Sequence, residues 1–173
     1  MRILIAGIGN IFLGDDAFGV EVAQRLAQRA LPAGVRVTDF GIRGFDLAYA
    51  ILDGYDVTIL VDATPRGGIP GTLYVIEPEL NELNGADGAA IETHGLDPVK
   101  VLHLVKVLGG QPGRILVVGC EPATFGPEHE GQMGLSAPVQ AAVDEAVRLI
   151  EELAAKLIDE HSADYLATRR SQP

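Results

Sequence analysis

Val57-Thr58-Ile59-Leu60-Val61 is an almost unbroken apolar run that stops at Asp62. A run this short and this apolar suits a central strand of a parallel sheet, covered by helices on both faces. The segment after it narrows the choice further. Ala63 to Gly71 holds two Pro and three Gly and leaves no room for the crossover helix that a parallel return requires. The next strand, Thr72 to Glu77, is therefore expected to run antiparallel to it.

The other elements fall around this pair. Ile3-Leu4-Ile5-Ala6 reads as the first strand and Gly7-Ile8-Gly9-Asn10 as a glycine loop. A helix from about Asp16 to Ala30 lines up Val22, Ala23, Leu26, Ala27 and Ala30, with Glu21 and Arg25 spaced to pair on its outer side. Val35 to Phe40 is a second strand, and Gly44, Phe45, Ala48, Ile51 and Leu52 stripe a short second helix. Asp97-Pro98 opens a third helix that buries Val101, Leu102, Val105 and Leu108. Ile115 to Val118 is the fifth strand, and Ser136 caps a long helix striped by Val139, Val143, Ala146, Ile150, Leu153 and Leu157. The expected fold class is α/β: a three-layer sandwich, a mixed five-stranded twisted sheet with strand four antiparallel, and helices on both faces. Residues 1–158 form one domain, and 159–173, where the helical period is lost, read as a flexible tail.

Composition removes several functions. Of 173 residues, 24 are Asp or Glu and 13 are Lys or Arg, a formal charge of −11. Such a surface repels phosphate backbones and anionic lipid, so neither nucleic acid nor membrane is an expected partner. The lone Cys120 allows no disulfide within the chain, no apolar run approaches ~18 residues, and the start lacks a leader pattern. A cytoplasmic location is the expectation.

Ligands of such sheets bind beyond the carboxyl ends of the parallel strands. Three polar groups are expected there: the Asp15-Asp16 pair after strand one, Asp62 after strand three, and His94 just before the third helix. One imidazole and two or three carboxylates make a divalent-ion set with open positions, suited to Zn, Ni or Fe. Each also has a plainer reading. Asp15 or Asp16 would serve as a helix cap, and a loop histidine as a solvated side chain. His103 and His161 read as surface residues, Glu128-His129-Glu130 as a solvated loop, and Cys120 as a small buried hydrophobe. Gly7-Ile8-Gly9 suggests a dinucleotide loop. The third glycine of that fingerprint would fall at Phe12, however, and carboxylates occupy the helix start that pyrophosphate needs. A tight turn is the better use of those glycines.

Gly7 to Val20, with its Gly14-Asp15-Asp16 centre, resembles the opening signature of the [NiFe]-hydrogenase maturation endopeptidases. Asp39-Phe40-Gly41-Ile42-Arg43-Gly44 resembles their second loop. Val61-Asp62-Ala63, Thr93-His94-Gly95-Leu96, Val118-Gly119-Cys120-Glu121-Pro122 and Gly134-Leu135-Ser136 follow in the family's order. The resemblance covers about residues 1–155. It implies that Asp16, Asp62 and His94 are the metal-binding and catalytic set, with Asp16 one methylene shorter than the Glu common in relatives. Gly41, Ile42, Arg43 and Gly44 would belong to the substrate-recognition region, and Asp15 has no assigned role. The implied reaction is removal of the C-terminal extension of a hydrogenase large-subunit precursor, recognised through nickel that the substrate itself supplies. Another divalent metal is compatible with the isolated protein. Two alternatives remain at this stage: a non-catalytic nickel-dependent chaperone of the same precursor, and a nucleotide-binding α/β module.

Overall fold

Residues 1–78, 98–127 and 130–170 are described by a computed structural model, with 165–170 as backbone only. The strands are β1 (Ile3–Ile8), β2 (Val35–Gly41), β3 (Val57–Ala63), β4 (Leu73–Ile76) and β5 (Arg114–Cys120). The helices are α1 (Phe18–Leu26), α2 (Gly44–Leu52), α3 (Pro98–Val107) and α4 (Ala137–Arg170), and a 3₁₀ turn, Gly14–Ala17, precedes α1. Sheet order is β2-β1-β3-β5-β4. The first four in that order are mutually parallel, and β4 is antiparallel to β5. The short Ala63–Gly71 link thus reverses the chain as expected, and β5 then inserts between β3 and β4.

Successive side chains of a strand face opposite sides. Ile3, Ile5, Val57, Ile59 and Val61 pack under α1 and α4, where Phe18, Val22, Leu26, Val139, Val143 and Ile150 meet them. Leu4, Ala6, Ile8 and Leu60 pack on the other face against Leu47, Ile51, Val101 and Val105 of α2 and α3. Both faces are covered, which is why β3 carries so little polarity.

Several element details differ from the sequence reading. α1 stops at Leu26, and Gln28 N–H and Arg29 N–H bond three residues back, to Arg25 and Leu26. Ala27 and Ala30 are exposed as a result. Phe18 and Val20 at the front of the helix supply the burial instead. In α2 the buried stripe is Leu47, Ala48 and Ile51, while Phe45 faces solvent. Helix also continues past Asp159 to Arg170, where the sequence suggested its end. Apolar contact does end there, since 159–164 are all exposed. A Lys156–Glu160 pair at 3.8 Å and a Ser162 hydroxyl donating to the Ile158 carbonyl at 2.9 Å support the extension locally. Among the described residues no helix is long and apolar enough to cross a membrane.

The link after β3 is ordered by one buried acid. Glu121 follows β5 and is 4% exposed. Its carboxylate accepts the N–H groups of Arg66 (2.9 Å) and Gly67 (3.0 Å) and the Tyr74 hydroxyl (2.8 Å). Burial favours the neutral acid. The Tyr74 hydroxyl and the N–H groups of Arg66, Gly68 and Gly67 outweigh it and hold the carboxyl below its ordinary range. A depressed native value means stability that is complete above the unfolded value of about 4.5 and is lost as pH falls through the native one.

Two outcomes are expected. Glu121→Gln lowers Tm at pH 7, and the gap to wild type narrows below about pH 4.5 in paired calorimetric scans. Removing residues 162–173 shifts Tm by no more than about 2 °C, because little apolar area is lost.

Candidate functional site

β1 and β3 are adjacent, with Gly7 opposite Val61, so their carboxyl ends open onto the same space. The first loop crosses above them and returns through the 3₁₀ turn. Gly9 has φ +133°, and a Cβ there would lie 1.7 Å from the Asp16 carbonyl oxygen. Only glycine lets the loop fold down onto the turn. Gly19 is equally constrained, since its Cβ would lie 2.0 Å from the Val61 carbonyl oxygen and 2.4 Å from that of Ile8. The start of α1 therefore rests directly on the ends of both strands. These glycines serve close approach and a tight turn, in keeping with the sequence reading.

Asp16 stands in that turn, 7% exposed, and Asp62 stands at the end of β3, 9% exposed. The turn packs against β3, so the two residues stand on neighbouring elements at this edge. The Asn10 N–H donates to Asp16 Oδ2 at 2.7 Å. Asp62 is fixed from the other side by its register opposite Gly119 of β5. His94 lies outside the described residues, as do Asp97, Glu128 and His129. Among the described residues no three His, Cys, Asp or Glu side chains form a metal-holding group.

Asp15 points elsewhere. It is fully buried, and its carboxylate is ringed by donors from the segment after β5. Oδ2 accepts Ala123 N–H (2.7 Å), Thr124 N–H (3.0 Å) and the Ser136 hydroxyl (2.9 Å). Oδ1 accepts Ser136 N–H at 2.6 Å. The turn and α1 receive no side-chain cap. Asp15 instead places its charge at the start of α4, where an anion complements the helix dipole. Backbone bonds extend the seam: Gly14 N–H to Gln132, Asp15 N–H to Thr124, and Gln132 N–H to Phe12.

The second loop faces the first across a cleft of about 410 Å³, lined by Gly9 to Phe12 on one side and Asp39 to Arg43 on the other. Ile11, Phe12 and Ile42 expose apolar surface at its mouth. Gln24 Nε2 donates to Asp39 Oδ2 at 3.2 Å across the floor. Arg43 curls back on its own strand, donating to the Phe40 carbonyl at 3.0 Å and to the Asp39 carbonyl. Gly44 begins α2 and lies in a second groove with Phe45 and His103.

The remaining candidates are quiet. Cys120 is fully buried, and burial, reinforced by the Asp15 and Glu121 carboxylates, pushes its thiol up to about 12. A thiol in that state is a packing group, not a nucleophile. His103 and His161 are exposed on helices. The sequence reading placed Ser136 at the start of the long helix, where α4 does begin, but missed its bonds to Asp15 and the work of Asp15 and Glu121. Their partners lie 47 to 121 residues away, with no local spacing to reveal them.

Comparison with known proteins bears on the family and the fold. The sequence model of the HycI family, hydrogenase maturation proteases, matches residues 20–153. The hydrogenase 2 maturation protease of Escherichia coli is 32% identical over 152 residues, covering 87% of this chain and 88% of that protein. The structure of the hydrogenase maturating endopeptidase HybD from E. coli superposes with a TM-score of 0.73 at 29% identity, over 90% of this chain and 93% of that one. That of the [NiFe] hydrogenase maturation protease HycI from Thermococcus kodakarensis gives 0.67 at 30% identity, over 89% and 92%. A family match over residues 20–153, with a relative 32% identical over 87% of the chain, shows that the chain belongs to the hydrogenase maturation proteases.

Proposed function

We propose that this protease removes the C-terminal extension of a [NiFe]-hydrogenase large-subunit precursor once nickel is seated, meeting that nickel with Asp16, Asp62 and His94. The observation that supports it is where the acids of the carboxyl edge stand in the fold. Asp15 and Glu121 are saturated by structural donors. Asp16 and Asp62 stand on the 3₁₀ turn and on β3, two elements that pack against each other where β1 and β3 end.

Two carboxylates and a neutral imidazole suit a borderline divalent ion and leave coordination positions open. Nickel carried by the precursor fills that set from the substrate side, so the metal is part of what is recognised. The cleft between the two loops would seat the chain on one side of the scissile bond. Gly41, Ile42, Arg43 and Gly44 border it and its neighbouring groove as the recognition wall. Hydrolysis adds water to the scissile carbonyl carbon, breaks the C–N bond and delivers a proton to the departing amine.

The test is cleavage of a large-subunit precursor made with and without nickel, followed by mass. Only the nickel-loaded precursor should shorten, and the free protease should bind Ni or Zn weakly. Efficient cutting of the nickel-free precursor would favour an aspartate peptidase acting without metal. Asp16→Ala, Asp62→Ala and His94→Ala should each lower the rate by about 100-fold or more while circular-dichroism spectra stay native. Wild-type rates in any two would end the assignment.

A further inference from the structure

We propose that Asp15 is a positioning residue for the cleavage reaction, holding Asp16 in its working place through the 3₁₀ turn that they share; this rests on the reading of Asp16 given above. The turn is four residues long and has no side-chain cap at Leu13 or Ala17. A 3₁₀ turn of this length adds little stability of its own to the start of α1. What fixes it comes from outside, and most of it converges on Asp15.

Four donors close on that carboxylate, from Ala123, Thr124 and both the N–H and hydroxyl of Ser136. They lie 108 to 121 residues further along the chain. Bonds from donors to a charged acceptor are the stronger kind. Asp16 is the next residue, about 3.8 Å away along the backbone, so any rotation of the turn carries Asp16 with it. On its far side Asp16 is met by the Asn10 N–H and by the close approach of Gly9. The turn is gripped from both sides, and Asp15 is the grip on the α4 side. Asp15 is fully buried and both its oxygens are occupied by donors from the segment between β5 and α4. Its effect must pass through Asp16.

Asn in its place keeps the size and loses the acceptor. Whichever way the amide is turned, its NH₂ group faces an N–H donor, because both carboxylate oxygens receive one. The conflict is relieved only by displacement of the turn, and a shift of about 1 Å in a reacting group costs up to about 100-fold in rate.

The experiment compares Asp15→Asn, Ser136→Ala, Asp16→Ala and the remote core variant Val143→Ala, assayed on nickel-loaded precursor well below every Tm. Val143 is buried on α4 and serves as the control for lost stability alone. Asp15→Asn should lower kcat about tenfold or more with KM within about twofold. Ser136→Ala should lower kcat severalfold, and Val143→Ala should keep wild-type kcat despite its lower Tm. Asp15→Asn at wild-type kcat, or no worse than Val143→Ala, would overturn the proposal. If Asp15→Asn does not fold, Ser136→Ala decides, and unchanged kcat there overturns it. An active Asp16→Ala would instead remove the reading of Asp16 itself. An inactive Asp16→Ala beside fully active Asp15→Asn and Ser136→Ala would remove this inference alone.

Discussion

At Gly19, in the first turn of α1, no side chain fits between the helix and the ends of the strands beneath it. A methyl at Gly19 would collide with the carbonyl oxygens of both Val61 and Ile8, so helix and sheet meet backbone to backbone. Everything at the carboxyl edge inherits that contact. It sets how far the first loop stands above β3, and so how near the residues of the 3₁₀ turn come to Asp62. The apolar core of α1, α4 and the sheet stabilises the layers, but this close seat decides where the polar groups above them end up.

The edge gathers Asp15, Asp16, Asp62 and Glu121 in a chain whose formal charge is already −11. Burying acids is costly unless the charge is met. At Asp15 and Glu121 the protein meets it with backbone N–H groups and hydroxyls instead of lysine or arginine. That choice has a chemical merit. Under the function proposed above, cations here would compete with the substrate's metal for Asp16 and Asp62, whereas neutral dipoles order the loops and leave the negative field intact.

Much of this was legible in the sequence, and the reasons differ by feature. The reversal of β4 follows from a link too short and too rich in Pro and Gly to hold a helix. The placement of Asp62 follows from an apolar run that must be buried and then stop. Both are local facts. The outward turn of Phe45 and the early end of α1 were not legible, because tertiary packing chose Leu47 and Phe18 over residues with equal periodicity. The continuation of α4 past Asp159 was missed for the opposite reason, since side-chain pairs and propensity sustain a helix there without burial. The role of Asp15 was invisible in principle. A carboxylate next to a helix start reads as its cap, and only the fold reveals that it serves a helix 121 residues on.

The insertion of β5 between β3 and β4 has a consequence for the order of assembly. During synthesis Asp16 and Asp62 emerge early. Gly119, which fixes the register of Asp62, and Ser136, which closes on Asp15, emerge much later. Contacts of such long sequence separation form last and draw heavily on chain entropy. A growing chain that ends before residue 136 holds both acids and lacks the frame that organises them. The frame of the edge is thus completed only with the final third of the polypeptide, and a half-made copy lacks both the strand that sets the register of Asp62 and the donors that close on Asp15.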